Sequence, residues 1–445
     1  MRLRQFLTPL FLLIAILVLH SCKSRMPGLF TGRSPHDKYT SMLQHAGLDR
    51  TAIGTQWLQA AEKSLRAPLT IEVPFRESGY FPADRVTAAS YRFSVVQGQK
   101  LSIRITKKAA ADFRIYADLW QIRSGKEPKL LAFADTLNNP FEFEADESET
   151  YLLRLQPELL RGGSYTVEIG TGPSLGFPVK GAGRKNIGSL FGVGRDGNTR
   201  RHEGVDIFAA FRTPAISASH GTVVRVNENN LGGRVVWMRP EGKDYTLYYA
   251  HLDKQIATPG QIVKPGDTLG LVGNTGNART TPPHLHFGIY TSGGAVDPLP
   301  FINPTVPEVP AVRATLASLN ASVRLRQAIT TRVTAPSGTD SLMTLAPGTL
   351  MRAEGANGDQ YRVSFPDGTL AHVPAARVLP ATAALRTFKT GQTAIDVFDG
   401  PAANAAVRFR LQPGERADIK GSFKGYALIA NSKNETGWIA EATAR

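Results

Sequence analysis

The sequence has one cysteine among its 445 residues. That excludes a disulfide framework, a thiolate-held zinc and a C-x-x-C redox pair. Charge is sparse at 20% of residues, and acids are the scarcer sign, 37 against 52 Lys and Arg. Phe6 to Leu19 is apolar but shorter than the ~20 residues a bilayer-spanning helix needs. A polytopic membrane protein is therefore not expected, and 42% hydrophobic residues exclude a disordered chain. Glycine and proline are plentiful instead, 42 and 29 residues. Together with the length, they predict a turn-rich, mainly β protein of roughly two to four domains.

The N-terminus accounts for the lone cysteine. Arg2 and Arg4 precede the apolar run, which closes on Leu19-His20-Ser21-Cys22. A basic start and a short apolar segment form a secretory signal, and the closing residues resemble a bacterial lipobox. That resemblance implies removal of residues 1–21 and attachment of diacylglycerol to the Cys22 sulfur, with a lipid bilayer as partner. Lys23, in place of Asp, points to the periplasmic side of the outer membrane in a Gram-negative cell. Cleavage removes two arginines and no acid, so the formal charge falls from +15 to +13. An exported basic chain meets polyanionic wall and headgroups, and no nucleic acid partner is expected.

Residues 22–68 form a linker and a helical segment, with Ala46, Leu48, Ile53, Trp57, Leu58 and Ala61 at roughly helical spacing and Pro68 ending the run. Residues 69–170 alternate polar and apolar positions between turn signals, as in Leu101-Ser102-Ile103-Arg104-Ile105, and predict a β-sandwich. It resembles the jelly-roll modules found beside secreted bacterial peptidases. A Gly/Pro-rich linker covers 171–184, a second domain 185–303 and another linker 304–315. The tail then repeats itself: Pro347-Gly348 matches Pro413-Gly414, and Ala371-His372-Val373 matches Gly437-Trp438-Ile439, at one offset of 66 residues. Two small β-barrels are expected, at 316–380 and 386–445. The second resembles bacterial Src-homology-3-like domains, and the first is a divergent copy.

The chemistry concentrates between residues 202 and 286, where four of the nine histidines fall into three motifs. These are His202-Glu203-Gly204-Val205-Asp206, then Tyr249-Ala250-His251-Leu252, then His284-Leu285-His286. Each lies in strand-like sequence. On a strand, side chains two or four residues apart share a face, which sets His284 beside His286 and His202 beside Asp206. Catalytic zinc needs three N/O ligands and one open position, so two histidines and an aspartate suffice and two histidines remain for proton transfer. A helical H-E-x-x-H reading fails, because position 206 is Asp and Gly204 breaks helix.

Residues 187–303 resemble the LytM/lysostaphin-type zinc endopeptidases of bacterial cell walls. The likeness extends to Ile187-Gly188-Ser189-Leu190-Phe191-Gly192, Thr213-Pro214-Ala215-Ile216, Val263-Lys264-Pro265-Gly266-Asp267 and Gly270-Leu271-Val272-Gly273. It implies a β-sheet peptidase core, Zn2+ held by His202, Asp206 and His286, and His251 and His284 as the catalytic pair. Pro282-Pro283 before His284 and Gly288 after Phe287 depart from the family pattern. Tyr249 is a possible auxiliary hydrogen-bond donor, with a place in the core as the alternative.

The implied activity is hydrolysis of peptide cross-links in peptidoglycan. A cysteine peptidase is excluded, because the only thiol is Cys22. The rival reading is a non-catalytic activator or scaffold of other wall hydrolases, since some relatives have lost their ligands. All five positions are filled here. The bond cut, the base among the two histidines and the oligomeric state are left open by the sequence.

Overall fold

The computed structural model describes residues 33–108, 113–134 and 141–444. Cys22 and the apolar run before it lie outside the described residues. The chain is mainly β, with strands at 49% of residues and helices at 13%. No helix among the described residues is long and apolar enough to cross a membrane.

The expected single helical stretch is two helices, Pro35–His45 and Ala52–Arg66. Gly47 at φ 68° ends the first by entering the left-handed region, and the Thr51 side chain caps the second. The first begins with a reciprocal capping box between Ser34 and Asp37. Trp57 and Ala61, four residues apart on one face, are buried. The Trp57 indole N–H donates to the Pro157 carbonyl at 2.9 Å, and His36 stacks on Trp57 with ring centroids 4.7 Å apart. The helices are thereby fastened to the strand Glu149–Pro157.

That strand is central in a five-stranded sheet with Leu69–Thr70, Ala89–Val95, Ile115–Ile122 and Lys129–Ala134. A second layer holds Phe75–Phe81, Gln99–Lys108, Phe141–Glu144 and Gly163–Pro173. Alternate residues of both layers, among them Phe93, Leu101, Ile103, Leu153 and Val167, form one core. The second layer continues into the C-terminal half, because Phe75–Phe81 pairs antiparallel with Leu350–Asn357. Strands from opposite ends of the chain thus share one eleven-stranded sheet.

The offset of 66 residues reappears in the strands themselves. Leu350–Asn357, Gln360–Ser364 and Leu370–Pro374 recur as Arg416–Phe423, Tyr426–Asn431 and Thr436–Ala440. The later set closes around Val397, Leu411, Ile419, Ile429 and Ile439. Its Phe423 and Trp438 pack instead against the core of the earlier set.

Between these halves lies a ten-stranded sheet. Its path runs Ile187–Ser189, Val205–Phe208, His284–Thr291, Thr246–Gln255, Gly233–Pro240, Gly221–Asn229 and Ile262–Val263. Val205, Ile207, Val236, Leu247, Leu285, Phe287 and Ile289 are fully buried on one face. Each such side chain contributes roughly 1.5–3 kcal/mol on burial. That face fixes which residues the other face presents. The sandwich meets this sheet at the turn after Gly233–Pro240, where Lys243 Nζ lies 2.6 Å from a Glu144 carboxylate oxygen. Thr246 and His251 are five steps apart along the strand, or about 17 Å, so this contact is remote from His251.

Candidate metal centre

The ladder carries the histidines into register. Asp206 pairs with His286, Phe208 with His284 and Ala250 with His286 across three adjacent strands. Because Leu285 and Phe287 point into the core, His284 and His286 point away from it. Gly204 makes room for the arrangement: a Cβ there would lie 2.8 Å from His286 Cε1 and 2.4 Å from the Phe287 carbonyl oxygen.

His251 arrives differently. Strict alternation after core-facing Tyr249 would turn His251 into the core as well. His251 instead has φ 63°, in the left-handed region, and its ring centroid lies 5.0 Å from that of His284. The alternation resets there, and Leu252 returns to the core. A β-carbon-bearing residue held in that conformation is strained, and such strain collects at functional sites.

Three side chains converge. His202 Nε2, Asp206 Oδ1 and His286 Nδ1 are each 3.0 Å from the other two. All three are largely buried, His202 at 2% exposed and Asp206 at 7%. His202 Nδ1 lies 2.8 Å from the Leu190 carbonyl, which accepts its proton and leaves Nε2 with a lone pair. Burial alone would raise the Asp206 carboxyl, but the adjoining His202 and His286 outweigh it and hold it well below the usual carboxylate range. Burial lowers the His286 imidazole. Two imidazoles and a carboxylate aimed at one point are the donor set that a catalytic zinc takes, so these residues fit the metal.

The other two histidines are oriented in the same manner. His251 Nδ1 donates to the Thr275 carbonyl at 2.9 Å, and His284 Nδ1 to the Pro282 carbonyl at 2.9 Å. Each therefore keeps a free Nε2, and that of His284 is 4.0 Å from Asp206 Oδ1. Burial, with His286 and His284 nearby, pushes the His251 imidazole down to about 4. Pro282 thus supplies the carbonyl that fixes His284.

One expected residue falls elsewhere. Tyr249 is fully buried in the core, where its hydroxyl accepts from the Ala218 N–H at 3.1 Å and its ring meets Phe287 edge-on. It does not reach the histidines, for alternation sends it to the opposite face. Its neighbour Tyr248 faces the site, with its ring centroid 5.9 Å from that of His286. Arg195 escaped the sequence reading altogether: it donates to Asp206 Oδ2 at 2.6 Å. Its signal was an arginine inside the glycine-rich run Gly192-Val193-Gly194-Arg195-Asp196-Gly197, just ahead of His202.

The stretch bearing all five residues has known counterparts. Residues 200–298 match peptidase family M23. The L-Ala–D-Glu endopeptidase of Bacillus subtilis is 40% identical over 118 residues, covering 24% of this chain and 36% of the relative. The peptidoglycan DD-endopeptidase ShyC of Vibrio cholerae is 35% identical over 97 residues, 22% of each chain. A solved structure of LytU is 34% identical, covering 27% of this chain and 85% of that one, with a TM-score of 0.25. The M23 match spans about a third and a fifth of the two curated relatives, so the likeness concerns this domain.

Proposed function

We propose that the chain is a zinc-dependent endopeptidase that hydrolyses peptide cross-links of peptidoglycan, tethered to a bilayer of the cell envelope through acylated Cys22. The observation that carries this reading is the convergence of His202, Asp206 and His286, with ligand atoms within 4.8 Å of one another. Relatives of the M23 domain named as peptidoglycan and L-Ala–D-Glu endopeptidases support the substrate class.

Zinc held by His202 Nε2, Asp206 Oδ1 and His286 Nδ1 would supply Lewis acidity and a water acidic enough to ionise near neutral pH. The chain's own residues do the rest. His251 and His284, each with Nδ1–H held by a carbonyl, offer Nε2 to the reacting groups. One accepts the proton of water at Nε2 and delivers it to the leaving amine, while the other, carrying a second proton on Nε2 as imidazolium, donates to the developing oxyanion. Two neutral histidine ligands and one aspartate leave a dication with a net charge of +1, suited to an anionic intermediate. The sandwich and the C-terminal repeats, joined by one sheet, are proposed as the part of the chain that holds this domain against the wall.

The test is digestion of purified peptidoglycan by residues 23–445, with and without a chelator, beside His286→Ala, with products identified by mass spectrometry. Chelator-sensitive loss of cross-linked dimers, absent in the variant, is the expected result and names the bond. Intact sacculi in the presence of zinc would overturn the enzymatic reading and favour an activator of other hydrolases. Incorporation of labelled fatty acid into the native chain, and its absence from Cys22→Ala, tests the anchor.

A further inference from the structure

Asp206 turns only one oxygen toward His202 and His286. Oδ1 is 3.0 Å from each, whereas Oδ2 accepts from an Arg195 guanidinium nitrogen at 2.6 Å. The same nitrogen donates to Ser189 Oγ at 2.8 Å. Exposed Arg–carboxylate pairs are worth little, but this carboxylate is only 10% exposed, and a short charge-assisted bond to it is a strong one.

The local chain is shaped to present Arg195. Gly194–Arg195 pairs with Arg200–Arg201 in a two-stranded hairpin. A Cβ at residue 194 would sit 1.7 Å from Asn198 Oδ1, so any larger residue there would turn the Asn198 side chain aside. The segment is also pinned to a second member of the cluster. Gly192 N–H donates to the His202 carbonyl at 2.8 Å, and His202 N–H to the Val193 carbonyl at 2.9 Å. One loop thus holds His202 through its backbone and Asp206 through Arg195.

A carboxylate can bind a metal through one oxygen or both. Catalytic zinc has three protein ligand atoms and leaves a position open, and a second Asp206 oxygen would fill that position. We propose that Arg195 is a positioning residue that occupies Asp206 Oδ2, keeps Asp206 a one-oxygen ligand and so preserves the open position. This rests on the metal-binding reading above. The competing account makes Arg195 a counter-ion that leaves Asp206 once a metal arrives.

The two accounts separate on cobalt-loaded protein. Residues 23–445 would be prepared as the native sequence, Arg195→Met, Arg195→Lys and His286→Ala, stripped of metal and titrated with Co2+ while visible absorption is recorded. Zinc affinity would be measured by competition with a chromophoric chelator, and metal-free melting would confirm that each variant is folded. The native chain is expected to give the intense absorption of four-coordinate cobalt. Arg195→Met should give a weaker, higher-coordinate spectrum and about tenfold or greater loss of zinc affinity, the usual range for a group supporting a ligand. Arg195→Lys, which keeps a charged donor, should recover part of both. An Arg195→Met spectrum and affinity equal to the native ones would overturn the proposal. Native and His286→Ala chains that both fail to bind cobalt would overturn the metal reading, and this proposal with it.

Discussion

Glu77 and Arg362, 285 residues apart, form a two-pronged ion pair in which Glu77 has no solvent exposure. Arg362 Nε donates to Oε2 at 3.0 Å and a terminal guanidinium nitrogen to Oε1 at 2.8 Å, while the Tyr91 hydroxyl also donates to Oε1 at 2.8 Å. Gly355 lies against the carboxylate, where a Cβ would be 2.6 Å from its carbon. Burial alone would raise the Glu77 carboxyl, but Arg362 outweighs it and holds the carboxyl low. The pair sits where Phe75–Phe81 meets Leu350–Asn357, so the chain on both sides of the stretch that matches family M23 is joined by one sheet and one ion pair.

Breaking the pair from one side leaves a buried charge unmatched. Arg362→Met should destabilise residues 23–445 by about 3–5 kcal/mol in urea unfolding, and adding Glu77→Gln should recover part of that loss. A fragment beginning at residue 171 loses both Glu77 and the strand beside Leu350–Asn357. It should aggregate or melt well below the full chain, which light scattering and a thermal scan would reveal.

The ligands and the proton-handling histidines should separate in kinetics. His286→Ala should lose bound metal and activity together. His251→Ala and His284→Ala should keep stoichiometric zinc by elemental analysis yet lose about 10²–10⁴-fold in turnover, the range for a positioned acid or base. Zinc loss in either of the latter would place that histidine among the ligands.

The facing of His284 and His286 was legible because strand alternation is a local rule: His284-Leu285-His286 and a buried Leu285 suffice to aim two imidazoles the same way. The tail repeat was legible for a similar reason, since equal strands recur at one offset. His251 was legible as a residue but not in its orientation, because φ 63° breaks the alternation and no pattern announces it. Of the two places open to Tyr249, auxiliary donor or core residue, alternation along the strand selects the core. Arg195 acts from an irregular hairpin, where no period relates it to Asp206. Glu77 and Arg362 meet only through the sheet, and two charges 285 residues apart carry no mutual signal.

His36 makes stability depend on pH. Burial, and then the nearby Arg154 charge, hold its imidazole below the ordinary 6.5. It packs against Trp57 and Tyr116 and lies 2.7 Å from Gln156 Oε1. As pH falls through 6.5 the unfolded chain takes up a proton that the folded chain does not, so stability is full above 6.5 and declines below it. The slope is at most about 1.4 kcal/mol per pH unit for one proton. Urea unfolding at pH 7.5 and 5.5 should show a larger loss in the native chain than in His36→Gln. Equal losses would assign the acid sensitivity to other groups.

Tyr249 provides a stability change without a catalytic one. Its hydroxyl is the partner of the Ala218 N–H at 3.1 Å, inside a core that includes Val223, Leu252 and Phe287. Tyr249→Phe keeps the ring and its edge-on contact with Phe287 but orphans that buried N–H, a loss of about 1–3 kcal/mol. Turnover on peptidoglycan and zinc content should stay at native values, because the ring lies on the face of the sheet opposite His286. Tyr248→Phe is the matched control on the site-facing side, where the hydroxyl accepts from Asn229 Nδ2 at 3.4 Å. A fall in turnover confined to Tyr248→Phe would place the tyrosine that touches the reaction at 248. A fall in Tyr249→Phe with its melting temperature unchanged would require the core side chain to reach the groove.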